Sequence, residues 1–240
     1  MSAIVSAGTC DVPPPLRIWN DFVQRHHVLS EAVPLFATDA SQVVASRSIG
    51  KKSPRLVLQR SDEMSDLIRR EVDRLIEDWS SPTRRLDGLI YMAGAKREGT
   101  FVPFYIGKTE TAGRGGGLSV NIQRLRGDTS KFARWGDNYA YHIGDLSACV
   151  LHGHPEGKRS QKYEAWARAM FVEVPSETPV LRESMFFWAK AWDRNDEGVW
   201  KDLGPTRLTF LEYLLIGIAS MCFPELLNRE GLSRDTAAPL

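Results

Sequence analysis

Gly88-Leu89-Ile90-Tyr91-Met92 and Val102-Pro103-Phe104-Tyr105-Ile106-Gly107 are two short apolar runs joined by a polar, glycine-containing link, Gly94–Thr100. Runs of this length, rich in aromatic and β-branched residues, read as two antiparallel strands with a long connecting loop. A glycine-rich stretch (Gly113, Gly115, Gly116, Gly117) follows and leads into a helix around Leu118, Ile122 and Leu125. Asn138–Leu151 then reads as a third strand, because its small and aromatic residues suit a half-buried sheet.

Upstream, the apolar positions Met64, Leu67, Ile68, Val72, Leu75, Ile76 and Trp79 recur in steps of three and four. That spacing predicts an amphipathic helix over 62–79. Ser61 is its expected cap, Asp62 and Glu63 suit the positive first turn, and Ser80-Ser81-Pro82 ends it. The first 60 residues read as irregular, with a helical pattern in Leu16, Trp19, Phe22 and Val23 and a strand at Arg55–Gln59. Downstream come a helix at Gln161–Phe171 and an aromatic run, Phe186-Phe187-Trp188, followed by Trp192 and Trp200. A strongly apolar helix, Leu208–Phe223, is closed by Pro224. The expected fold class is α+β, a three-stranded antiparallel sheet flanked by helices. The expected organisation is an N-terminal extension (1–87), a main domain (88–231) with an insertion at about 153–205, and a loose tail (232–240).

Composition narrows the function. The chain has 240 residues, 42% hydrophobic and 25% charged, which argues for a packed core rather than disorder. Its 31 basic and 30 acidic side chains give a net charge of +1, so any nucleic-acid contact must come from a local patch. Three cysteines without CxxC spacing exclude a disulfide framework or a cysteine zinc knuckle and fit a reducing, cytoplasmic setting. No basic-plus-apolar leader opens the chain. The 16-residue run Leu208–Phe223 carries Glu212 and falls short of the roughly 20 residues a membrane span needs. No membrane association is expected.

Three apparent motifs lose to simpler readings. Ile106-Gly107-Lys108-Thr109 resembles the end of a phosphate-binding loop, but Val102 stands where that loop requires glycine. His142, His152 and His154 lie in no metal-ligand pattern and read as a polar turn. Trp188, Trp192 and Trp200 could stack on bases, yet aromatic clusters are more often core. Glu212 stands apart as the sole charge in its helix, about 100° from the stripe Leu211, Leu214, Leu215, Ile218 and Cys222. A carboxylate at the edge of an apolar stripe needs a partner, either an arginine or a metal ion.

Taken in order, these residues resemble the GIY-YIG nucleases. Leu89-Ile90-Tyr91 stands where that family has GIY, and Tyr105-Ile106-Gly107 reproduces YIG, with 13 residues between the tyrosines. Arg124-Leu125 matches the arginine and apolar residue on the following helix, and Leu211-Glu212 matches the later helical glutamate. Phe223-Pro224 followed by Asn228 matches the turn and asparagine. Arg114 and Arg126 are rivals to Arg124, which is favoured because it precedes Leu125 on the helix. Leu89 replaces the family's first glycine, and Asp128 stands where many members have histidine.

The resemblance implies a metal-dependent DNA endonuclease, with one Mg²⁺ or Mn²⁺ ion per active site held by Glu212. It implies that Arg124 clamps the scissile phosphate and Tyr91 takes a proton from the attacking water, directly or by relay, with Lys108 as its neighbour. It further implies that Tyr105 hydrogen-bonds the phosphate or nucleophile, and that Asn228 orients the phosphate or supports the site by hydrogen bonds. Arg114, Arg124 and Arg126 are expected along the DNA backbone, and the basic group Lys158, Arg159 and Lys162 of the insertion is expected to contact DNA for base or shape readout. The expected role is a restriction or defence enzyme, compatible with a homodimer on palindromic sites. The rivals are a non-catalytic nucleic-acid-binding module and a structure-specific repair nuclease.

Overall fold

The computed structural model describes residues 13–50, 54–125 and 143–228. Its centre is the expected hairpin, β4 (Leu86–Arg97) and β5 (Thr100–Glu110), with Tyr91 paired to Gly107 and Ala93 to Tyr105. The expected loop Gly94–Thr100 is a correction: both strands continue to a two-residue turn, Glu98-Gly99. Glu98 (φ 47°) and Gly99 (φ 78°) are both left-handed there. That is the conformation a two-residue hairpin turn needs to match strand twist. Gly94 sits at a register shift, where a Cβ would lie 2.2 Å from the Val102 carbonyl oxygen.

The sheet has four antiparallel strands rather than three, in the order β1-β6-β4-β5, with β1 at Val33–Pro34 and β6 at Phe186–Asp193. The strand beside β4 therefore comes from the aromatic run inside 153–205. Alternation divides that run between two faces. Phe187, Ala189 and Ala191 face one way, together with Leu89, Tyr91 and Ala93; Trp188 and Trp192 face the other with Ile90, Met92 and Ile106. As expected, Trp188 and Trp192 are core; Trp200 is exposed.

Helices cover both faces. On the Tyr91 face lie α3 (Asp62–Ser80), α5 (Ile143–Val150) and α6 (Gln161–Met170). On the Trp188 face lie α1 (Pro14–Arg25) and α7 (Leu208–Cys222). The helix α3 starts as its sequence dictates, with the Ser61 hydroxyl accepting from Met64 N–H at 2.9 Å. A short helix α2 (Val28–Glu31) precedes β1, and β2 (Ser46–Ile49) pairs with β3 (Arg55–Leu58) as a separate ribbon.

The strand expected at Asn138–Leu151 is a second correction. Residues 138–142 lie outside the described part, and Ile143–Val150 is the helix α5. Ile143, Leu146, Ala148, Cys149 and Val150 are its buried apolar positions, so burial extends round most of the helix. Ser147 is fully buried on it, donating to the Ile143 carbonyl and accepting from Leu58 N–H at 2.9 Å.

Glu71, unremarkable in the sequence, is 5% exposed on α3. Its Oε2 accepts from Ala191 N–H at 2.8 Å and from Arg74 at 2.7 Å, while Oε1 accepts from Arg70 at 3.2 Å. Ala191 lies beyond the stretch of β6 that β1 covers, so the carboxylate satisfies a strand edge that would otherwise be bare. Among the described residues no helix is long and apolar enough to cross a membrane.

Candidate functional site

Tyr105 projects from β5, at the end of the sheet order, and is half-buried. Its ring centroid lies 6.2 Å from that of Tyr91 and 4.8 Å from that of Trp166 on α6. Gly107 lies under both tyrosines. A Cβ there would stand 2.7 Å from Tyr91 Cζ and Oη and 2.9 Å from Tyr105 Cε1. Glycine at this position therefore lets the two phenols converge. Tyr91 is 3% exposed and Phe187 packs on it at 5.9 Å, so Tyr105 is the more accessible of the pair.

Tyr105 opens onto a cavity of about 210 Å³. Glu212, Tyr213 and Ile216 of α7 form one wall, Leu227 and Asn228 a second, and Lys162 of α6 a third. Glu212 is half-buried between buried Leu211 and exposed Tyr213, the edge position its helical phase predicts. The Lys162 ammonium lies 4.9 Å above the Tyr105 ring, 5.5 Å from Tyr163 and 5.6 Å from Trp166. Three aromatic faces thus hold a positive charge at the mouth of the cavity.

Asn228 is 9% exposed and is fixed by the strand it abuts. Its Oδ1 accepts from Ile106 N–H and its Nδ2 donates to the Ile106 carbonyl, both at 2.9 Å. Leu227 N–H donates to the Phe104 carbonyl at 2.8 Å, so chain and side chain together extend the ladder past β5. Arg97 anchors this segment, bonding Glu225 at 2.6 Å while also gripping Glu183. The hydrogen bond to Glu183, then that to Glu225, raises the Arg97 pKa against the effect of burial.

The remaining expected residues divide. Lys108 does not neighbour Tyr91, which corrects that expectation. Tyr91 pairs with Gly107, so by alternation Lys108 points through the opposite face of the sheet. There it pairs with Glu110 at 2.5 Å. That hydrogen bond holds the Glu110 carboxyl below the usual carboxylate range, helped by Thr209 Oγ1 donating at 3.2 Å. Arg124 lies on the short helix α4 (Val120–Leu125), with its side chain outside the described part; Arg126 and Asp128 also lie outside it. Arg114 is exposed at the tip of a small glycine turn closed by Gly113 N–H to Gly117 O at 2.8 Å. Lys158 ends a 3-10 turn, and neither it nor Arg159 lines the cavity.

Lys162, expected only as part of that basic group, is the member that reaches the cavity. Its signal is local: on one helical turn it shares a face with Trp166, four residues on. Of the histidines, His142 is outside the described part, His152 is exposed, and His154 is buried with Nε2 2.7 Å from the Leu56 carbonyl. Among the described residues no three His, Cys, Asp or Glu side chains gather to hold a metal. Among the described residues Glu212 is the one carboxylate lining the Tyr105 cavity, which suits a hard cation that keeps most of its water shell. Comparison with protein-family models, with curated proteins and with solved structures finds no match to this chain.

Proposed function

We propose that this chain is a metal-dependent DNA endonuclease of the GIY-YIG kind, cutting at defined sequences as a restriction or defence enzyme. One observation carries the reading. Tyr105, Glu212 and Asn228, picked from the sequence as an ordered set, line a single cavity although they come from three separate segments.

In the proposed reaction water attacks phosphorus, the bond to the 3′ oxygen breaks, and a 5′-phosphate is left. A Mg²⁺ or Mn²⁺ ion, one per site and held by Glu212, would supply Lewis-acid stabilisation of the leaving oxygen. Lys162 holds a non-bridging phosphate oxygen, with Arg124 as the second cation on that group. The Tyr105 hydroxyl hydrogen-bonds the attacking water. Tyr91, buried behind it, relays that water's proton out to solvent, and solvent returns a proton to the leaving 3′ oxygen to give the 3′ hydroxyl. Asn228 keeps β5 straight at Ile106, and so fixes where the Tyr105 ring stands.

The test is cleavage of supercoiled plasmid with Mg²⁺ by wild type, Glu212→Ala and Tyr91→Phe. Loss of cutting in both variants with DNA binding retained is expected, and discrete bands would show sequence specificity. Activity that survives Glu212→Ala would remove the metal site. A wild type that binds several DNAs but cuts none would make the chain a binding module instead.

A further inference from the structure

A second cavity, of about 290 Å³, opens where α7 begins, and Arg84, Arg194 and Arg207 line it. Its two carboxylates are already engaged. Asp87 takes Arg207 Nε and Nη2 at 2.6 and 3.0 Å, with Arg194 Nε at 3.9 Å, and Glu110 at the rim is paired with Lys108. Three arginines against Asp87 and Glu110 leave 3 − 2 = +1. Lys108, by neutralising Glu110, leaves the cavity still more positive.

The excess charge is concentrated on Arg84. Its guanidinium carbon lies over the Trp79 ring, 4.5 Å from the centroid, and meets no carboxylate or carbonyl acceptor among the described residues. Its backbone is left-handed, with φ 42°, a conformation that an L residue seldom adopts. The Arg84 carbonyl accepts from Arg194 Nη2, which holds the turn in that state. Strain kept in order to present a planar, five-donor group is what a phosphate site requires.

Position supplies the ligand. Thr209 lines this cavity and Glu212 lines the first, and residues three apart share one face of a helix. On β5, Glu110 borders this cavity and Tyr105 the first, and being five residues apart they point through opposite faces of the strand. The two cavities are therefore linked along α7, through Thr209 and Glu212.

We infer that this second cavity binds a further backbone phosphate of the strand whose scissile phosphate lies at Glu212. Arg84 is the principal contact, and Arg194 and Arg207 turn their remaining N–H groups to it. The identity of the ligand rests on the nuclease reading; the anion site itself does not.

The experiment is fluorescence anisotropy of a labelled duplex with Ca²⁺ in place of Mg²⁺, from about 50 to about 200 mM salt. Wild type is compared with Arg84→Gln and Arg84→Lys, whose exposed position leaves the fold intact. Arg84→Gln is expected to weaken binding several-fold and to lower the salt slope by about 1, with Arg84→Lys retaining most of the slope. Wild type that cuts DNA with a slope unmoved by Arg84→Gln would overturn this site and leave the nuclease standing. An Arg84-dependent slope in a protein that never cuts would sustain the site and remove the nuclease. Inorganic pyrophosphate is the second probe. Arg84-dependent pyrophosphate binding with an unmoved duplex slope would assign the cavity to a small free anion and overturn the strand reading. A wild type that binds no duplex would overturn both readings.

Discussion

Asn228 and Ile106 are joined by two hydrogen bonds of 2.9 Å, one in each direction, so that the side-chain amide imitates the next residue of a neighbouring strand. Both partners are buried, and the geometry uses the amide as donor and acceptor at once. Asn228→Ala would leave the Ile106 N–H and carbonyl without partners, a loss of about 1–3 kcal/mol. Asn228→Asp is expected to be worse, because a carboxylate oxygen would face the Ile106 carbonyl. Urea unfolding of both variants reads this directly. Unchanged midpoints would mean that Asn228 acts on substrate alone.

Gly107 is a second point of control. Gly107→Ala places a methyl group 2.7 Å from the Tyr91 hydroxyl and 2.9 Å from the Tyr105 ring. The buried Tyr91 ring has Phe187 packed against it, so the strain falls on Tyr105, which is displaced from Trp166 toward the cavity. Overpacking of this kind costs about 1–3 kcal/mol. The plasmid-nicking rate is expected to fall at least tenfold at temperatures where circular dichroism shows the variant still folded. Nicking at the wild-type rate would show that the spacing of the two phenols is irrelevant to cutting.

Lys162→Met keeps the length and apolar packing of the side chain on Tyr105, Tyr163 and Trp166 while deleting its charge. Stability is expected to change by less than about 1 kcal/mol, the scale of a partly exposed cation–π contact. Cutting is expected to drop tenfold or more, with Lys162→Arg recovering part of it. Equal nicking rates in wild type and Lys162→Met would place the phosphate elsewhere.

His26 predicts a pH dependence of stability. It is 7% exposed, with Nε2 3.0 Å from the Glu197 carbonyl and Nδ1 3.3 Å from the Lys190 ammonium. A carbonyl can only accept and an ammonium can only donate, so Nε2 carries the hydrogen and the ring is neutral. Burial, and then the Lys190 charge, push its pKa down to about 4. The unfolded chain binds this proton near pH 6.5, so between about 6.5 and about 4 it holds more protons than the native state. Stability therefore falls as pH drops through that window, by on the order of 3 kcal/mol in full. Unfolding midpoints at pH 7 and 4.5 for wild type and His26→Gln check this: the variant should lose less on acidification. Parallel losses would show that His26 is not the titrating group.

Much of the fold was legible wherever one period ruled. The helix α3 announces itself through seven apolar positions and Ser61, and α7 through a long apolar run with Glu212 as its sole charge. The strand β6 was hidden because both of its faces are buried: Phe187 and Trp188 serve different cores, so no alternation marks the segment. The helix α5 was misread for a related reason, since its small residues bury nearly all round and mask the helical step. In the site, the residues carried by β5 and α7 were readable in order, as was the half-buried phase of Glu212. Lys108 was misplaced beside Tyr91, although alternation from Gly107, the strand partner of Tyr91, puts it on the other face. Lys162 was not, because its approach depends on how α6 packs against the edge of the sheet.

The cover on the two sides of the sheet has a consequence for how copies of the chain can meet. Leu227 and Asn228 occupy the outer side of β5, and Glu71 occupies β6 at Ala191, so these positions offer no template to a foreign strand. Strand-to-strand self-association is closed off at these two positions. Removing either cover would do more than loosen a monomer. It would expose bare backbone to the next molecule, and the damage would be read as precipitation before it was read as lost cutting.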